Sequence, residues 1–330
     1  MVYKMLKVGK LDSELLKEIV FDKITFRRDE VITRPGIGED CAVMDFGDYE
    51  CVLSTDPITA SIEDIGREAV HISCNDIASN GVEPVGLLLA VLLPEGTTEE
   101  QIANMMDQAG KASEELGVEI IGGHTEITRA VNKPVMISTA IGRGPKGGSQ
   151  DGKDMKPGDL LIVTKNVGLE GTGLIATERD MTGILTEEER AEAVAMLDDV
   201  SVVKEGIIAG RIGTHGMHDV TEGGILGAVW EMCSVSGLGA TVTKEAIPVA
   251  DVTVKLADAF GLDWMRLISS GCMLIVMEEE KWPALEKELA DAGIGSACIG
   301  KVEEKERGVR FADGSPIEPP EADEIYKAVD

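Results

Sequence analysis

The chain has 330 residues, with 60 acidic against 31 basic side chains and a formal charge of −29. A surface of that sign repels nucleic-acid phosphates and anionic membranes and excludes both as expected partners, whereas divalent cations and metal-bound nucleotides suit it. The six cysteines (41, 51, 74, 233, 272 and 298) form no CxxC or Cys/His cluster and no apolar run is long enough to span a bilayer, so the expectation is a cytoplasmic protein with reduced thiols.

The length predicts two domains. Residues 42 to 56 read as two strands around a turn at Gly47 and Asp48. A helix is expected over 62 to 80, because Ile62, Ile65, Ala69 and Ile72 recur at spacings of three and four. The next position on that stripe is Asp76, a carboxylate where an apolar residue belongs. Asn80 and Gly81 read as the helix end, so Asp76 lies toward the negative pole of the macrodipole and calls for a compensating positive charge.

A strand from Val85 to Leu93 follows, then a helix opened by a capping box at Thr98 to Gln101. That helix carries Ile102, Met105, Met106, Ala109, Ala112 and Leu116 inward and stops at Gly117. Strands at Val118 to Ile121 and Val135 to Ile141 complete an α/β or α+β half with a mixed sheet. Residues 144 to 159 are rich in Gly, Pro and charge, and the domain boundary falls there, dividing 1–148 from 149–330. The second half is expected to hold strands at Leu160 to Thr164, Met273 to Met277 and Val309 to Phe311. Its helices fall at Glu187 to Leu197, Val202 to Ala209, Ile225 to Ser234 and Trp282 to Ala292, ahead of a solvated acidic tail.

Within the linker, Gly147 to Asp154 reads GGSQDGKD and matches GxxxxGK of a P-loop. Asp154 stands where the magnesium-binding Ser or Thr belongs, and no amphipathic helix follows, so the match is read as linker. Acids at element termini are the stronger candidates. Glu39 and Asp40 precede a strand, Asp56 ends the strand VLSTD, Asp76 ends a helix, and Asp219 follows a short apolar turn before a helix. Carboxylates gathered from remote segments are what a magnesium-nucleotide site needs, yet Asp is equally favoured in ordinary caps and turns. Gly122, Gly123, His124, Thr125 and Glu126 read as a tight turn whose amides approach a phosphate or simply turn the chain. His124 and His218 suit acid, base or phosphate-ligand roles, or structural hydrogen bonds. Gly168, Gly171 and Gly173 form a second loop with the same two readings.

In this order and at these separations, GIGEDCAV, STD, HISCNDIASNGVEP, IIGGHTE and HDVTEGG resemble the superfamily of aminoimidazole ribonucleotide (AIR) synthetase, which includes thiamine monophosphate kinase, selenophosphate synthetase and the hydrogenase maturation protein HypE. The resemblance covers nearly the whole chain. It implies an N-terminal mixed sheet that joins a second subunit in a dimeric barrel, and a C-terminal α/β domain covering it. It implies ATP and Mg2+ in the cleft between them. Asp40, Asp56 and Asp76 would hold magnesium and phosphates with Asn75 beside them, and Asp219 would approach from the second domain.

Two departures stand out. His124 occupies a place where relatives carry Asp or Glu, which implies a lost metal ligand, its replacement by Glu126, or a neutral phosphate contact. The chain ends EIYKAVD, without the cysteine that carries the reacting group in the hydrogenase dehydratases, and Cys298 is read as a buried strand residue. The leading expectation is therefore a HypE-like enzyme that phosphorylates a carbonyl or amide-type oxygen on a small-molecule or protein-borne acceptor. A small-molecule kinase and a non-enzymatic, nucleotide-responsive partner in metallocentre assembly are the alternatives.

Overall fold

Two six-stranded sheets carry the chain, each ordered by a different rule of burial. The computed structural model describes residues 13–36, 39–59, 64–150, 152–320 and 322–329. Ile62, the first position of the expected helix stripe, lies outside the described residues, as do Ile37 and Gly38 of GIGEDCAV and Asp151 of the linker.

The first half begins with helix α1 (Ser13–Ile19) and strands β1 (Val31–Thr33), β2 (Ala42–Asp45) and β3 (Tyr49–Ile58). Helix α2 (Ile65–Ser79), β4 (Glu83–Leu93), α3 (Glu99–Leu116), β5 (Glu119–Ile127) and β6 (Val135–Pro145) follow. The strand order is β1-β2-β3-β6-β4-β5, with β4 and β5 parallel and the other neighbours antiparallel, which is the expected mixed sheet. Helices α2 and α3 cover one face, where Val52, Ile65, Ala69, Ile77, Leu87, Leu89 and Met136 form the core. The capping box of α3 is complete, and Gly117 ends the helix in the left-handed region.

The second half comprises β7 (Leu160–Thr164), α4 (Leu169–Glu178), α5 (Glu187–Ala195), α6 (Val203–Ile212), β8 (Gly216–Asp219) and α7 (Gly224–Ser236). It continues with β9 (Gly239–Val242), α8 (Asp251–Phe260), β10 (Met273–Met277), α9 (Trp282–Asp291), β11 (Ser296–Glu303), β12 (Val309–Phe311) and α10 (Ile325–Val329). Its order is β12-β9-β11-β7-β10-β8. Strands β7 and β10 are buried along their whole length, because helices pack on both faces, and they read accordingly as unbroken apolar runs. Among the described residues no helix is long and apolar enough to cross a membrane.

Several expectations change. Helix α2 is buried on nearly every side, with only Ile72 half-buried on the expected stripe, because α6 and β8 of the second half pack on its outer surface. Strand β5 runs straight through Gly122 and Gly123, so the expected turn does not exist. Gly123 has φ 146°, and a Cβ there would lie 1.9 Å from the Leu89 carbonyl oxygen, so the glycine permits strand pairing where any side chain would block it. The tail is not simply solvated: Asp323 is buried and accepts from the amides of Gly223, Ile268 and Ile325. Cys298 lies in β11 as expected but is only half-buried.

Candidate active site

Carboxylates from four separate segments converge where the two halves meet. Alternation along β3 turns Val52, Ser54 and Asp56 toward α2. Asp76 comes from the last turns of α2, Asp40 from the segment before β2, and Asp219 from the end of β8. Asp76 is 8 % exposed, and its Oδ2 accepts a short hydrogen bond from Ser54 Oγ, which also lies 3.4 Å from Asp56 Oδ2. Burial, and then the charges of Asp219, Asp56 and Asp40, push the Asp76 carboxyl well above the usual carboxylate range. Asp219 is 1 % exposed and its Oδ2 has no hydrogen-bond partner.

His218 closes one corner. Its Nε2 lies 2.9 Å from Glu231 Oε2, while Nδ1 lies 3.3 Å from Asp40 Oδ2 and 3.7 Å from Asp219 Oδ1. Burial pulls this imidazole down, but Asp40, Asp219 and Glu231 outweigh it and raise its pKa well above the ordinary value.

The positive charge that Asp76 calls for is thus not fully supplied by the fold, since the neighbours that shift it are carboxylates. Hard oxygen donors packed this closely, one of them an orphaned buried oxygen, fit a divalent cation carrying nucleotide phosphates.

Family models described as AIR synthase related protein, N-terminal domain, and AIR synthase related protein, C-terminal domain, match residues 38–143 and 156–313. The chain belongs to the AIR synthase related family. It is 27 % identical over 314 residues to a putative hydrogenase expression/formation protein of Methanocaldococcus jannaschii, covering 91 % of this chain and 90 % of that one. It is 28 % identical over 303 residues to the carbamoyl dehydratase HypE of Rhodobacter capsulatus, covering 89 % and 86 %. A solved structure of HypE in complex with ATP superimposes with TM-score 0.72 at 22 % identity, covering 97 % of this chain and 98 % of that one. Shared fold is what that superposition establishes.

Within this family fold, the other expected site residues fall in different places. Asn75 is fully buried, and both ends of its amide are used: Nδ2 donates to the Val200 carbonyl at 2.8 Å and Oδ1 accepts from Val202 N at 2.8 Å. It clips the two halves together instead of facing the carboxylates. Glu39 is ion-paired with Lys153 of the linker. The rest of the P-loop look-alike also binds an internal carboxylate, with Gly147 N and Ser149 Oγ donating to Glu50 at 2.7 and 2.8 Å.

Gly122, Gly123, His124, Thr125 and Glu126 lie on the edge strand β5, separated from the Asp56 strand by β6 and β4, or roughly 14 Å at about 4.8 Å per strand. His124 and Glu126 sit 3.4 Å apart with exposed side chains. One chain therefore does not bring them to the acid cluster. Gly171 and Gly173 are inside helix α4, where a Cβ would meet Leu267 Cγ at 2.4 Å and Leu197 Cγ at 2.5 Å. Close packing accounts for both, and the expected anion loop is absent at these positions.

Ser54 and Glu231 were not singled out by sequence reasoning. Ser54 carries a readable signal, two residues before Asp56 on the same strand face. Glu231 carries a weaker one, the charged residue in the otherwise uncharged helix GILGAVWEMCSVS.

Proposed function

We propose that this chain is an ATP- and magnesium-dependent enzyme that phosphorylates a carbonyl or amide-type oxygen so that the oxygen can leave. The observation that carries this reading is the convergence of Asp40, Asp56, Asp76 and Asp219 at the junction of the two halves. Residues 1–148 form the nucleotide- and metal-binding half, and 149–330 the half that covers it. Bound Mg-ATP supplies the γ-phosphoryl group and neutralises charge on its oxygens. Asp40, Asp56, Asp76 and Asp219 hold the cation, and Ser54 fixes the rotamer of Asp76 through its hydrogen bond. Enclosure of Asp76 and Asp219 excludes water, so that the transferred group meets the acceptor and not solvent. The dehydratase name of the Rhodobacter relative supports oxygen departure over a retained phosphate.

The test is acceptor-dependent ATP turnover with product mass. Free phosphate and an acceptor lacking one oxygen support the reading. A stable phosphorylated acceptor assigns the chain to the kinase class, and turnover indifferent to every acceptor leaves a nucleotide-responsive partner.

The acceptor is supplied as a small molecule or on another protein. Cys298 is held inside strand β11, and Cys41, Cys74, Cys233 and Cys272 are buried. Incubation with a carbamoyl donor and its transferase is expected to leave every cysteine unmodified by intact mass. A stoichiometric, ATP-sensitive adduct on Cys298 would restore self-modification.

A homodimer through the first sheet belongs to the same proposal. Edge strand β5 and the open sheet face expose Ile121 at 53 %, Ile127 at 50 %, Val85 at 41 % and Leu88 at 39 %. An apolar edge of this kind needs covering. Light scattering should give twice the chain mass of 35.1 kDa, with Ile121→Glu shifting it toward one. A wild-type monomer across micromolar concentrations counts against the barrel.

A further inference from the structure

We infer that Lys153, from the P-loop look-alike in the linker, is a ligand for the nucleotide phosphates, and that Glu39 holds its ammonium group until Mg-ATP enters. The inference rests on the reading of the carboxylate junction as a Mg-ATP site, and adds a cation that none of the five spaced motifs contains.

The fold places this lysine from two sides. Gly152–Asp154 forms a single 3-10 turn packed on β8 and α7. A Cβ on Gly216 would lie 2.7 Å from Gly152 Cα, so the turn sits directly on the strand backbone because both residues lack side chains. Side chains alternate along β8, so His218 leaves the same face as Gly216, roughly 7 Å further on. His218 Nδ1 lies 3.3 Å from Asp40 Oδ2, and Lys153 Nζ is ion-paired with Glu39, the residue before Asp40. The ammonium group therefore stands at the rim of the carboxylate cluster.

Exposure separates the two partners of this pair. The Glu39 side chain is 10 % exposed, whereas that of Lys153 is 54 % exposed. An ion pair with a solvated member contributes little to stability, and a lysine is a point charge on a flexible four-carbon stem that can change partners. Lys165, also near the junction, is differently placed: its side chain is 12 % exposed and anchored on Ser201 O and Glu205. Magnesium covers only part of a triphosphate, and the remaining oxygens need donors that the carboxylates around Asp76 do not offer. Lys153 also differs from a P-loop lysine in its support. The amides of Gly147 and Ser149, which a P-loop would turn toward phosphate, already bind Glu50, so the side chain alone reaches the nucleotide.

Substitutions at the two ends of the pair are expected to act in opposite directions on Mg-ATP affinity, measured by titration calorimetry on the full chain. Lys153→Met should weaken binding about 10- to 100-fold, the value of a hydrogen bond to a charged group. Lys153→Arg keeps the charge and should restore most of the affinity. Glu39→Gln releases the ammonium group and should tighten binding by about two- to fivefold, the strength of an exposed ion pair. On the Lys153→Met background the same Glu39→Gln change should give no gain. Ligand-free melting shows which variants fold, and Lys153→Gln replaces Lys153→Met if that variant does not. A merely structural strut gives another pattern, in which both single substitutions weaken binding or neither changes it. Either result, or a Glu39→Gln gain that persists without Lys153, overturns the inference. If wild type binds Mg-ATP and Lys153→Met binds it equally well, only the role of Lys153 falls; if wild type does not bind Mg-ATP, the proposed function falls with it.

Discussion

Asp76→Asn is expected to remove most of the thermal stabilisation that Mg-ATP gives the wild type, while leaving the ligand-free protein as stable as before or more so. A ligand that binds only the folded state stabilises it by about 2.7 kcal/mol at a hundredfold excess over its dissociation constant. The opposite signs have one cause. Asp76 is enclosed, has Ser54 as its hydrogen-bond donor and is surrounded by Asp219, Asp56 and Asp40. A carboxyl whose folded pKa is raised contributes stability that is fully present below its unfolded value of about 3.9 and is lost as pH rises through the folded one. Above its unfolded value the folded state therefore carries a penalty for this carboxyl that the unfolded chain does not, and a bound cation offsets it. An isosteric amide removes both the penalty and the ligand. Differential scanning fluorimetry with Mg-ATP, and again with chelator, measures both halves. A mutant that retains the full magnesium-dependent shift would show that Asp76 is not a ligand.

Asn75→Ala is expected to act one residue away in the contrary sense, lowering intrinsic stability and leaving the carboxylate cluster intact. The amide is fully buried, with Val200 O and Val202 N each at 2.8 Å. Removing it strands a buried carbonyl and a buried N–H, at about 1–3 kcal/mol for each unsatisfied group, so the loss should be roughly 2–6 kcal/mol. The receiving segment is independently braced. Lys165 Nζ donates to Ser201 O at 2.6 Å and pairs with Glu205 Oε1 at 2.9 Å, so the segment cannot shift easily to fill the gap. Urea unfolding should show a lower midpoint, with the Mg-ATP shift retained. A loss well under 1 kcal/mol would mean that the clip does not hold the halves together.

These two neighbours show how far local pattern reaches. Position 76 breaks an apolar helical stripe, so its anomaly is visible from residues three and four away. The task of Asn75 is set by partners 125 and 127 positions along the chain, and no spacing near Asn75 encodes them. The same division runs through the fold. Capping at Thr98, the left-handed stop at Gly117 and the apolar runs of β7 and β10 follow from backbone geometry and near neighbours, and the sequence alone determined them. The five spaced motifs also determined the family.

Strand β5 marks the other side. A glycine pair reads locally as a turn, but the approach of the Leu89 carbonyl to Gly123 turns it into strand, and strand order then carries His124 and Glu126 away from the carboxylates. Gly171 and Gly173 likewise read as loop until Leu267 and Leu197 pack against them. The resemblance already grouped Asp40, Asp56, Asp76 and Asp219, but the placing of His218 and Glu231 against them was decided by tertiary structure alone. Periodicity records which face of an element is buried. It does not record what packs against that face, because that depends on the order in which distant strands and helices close around the core.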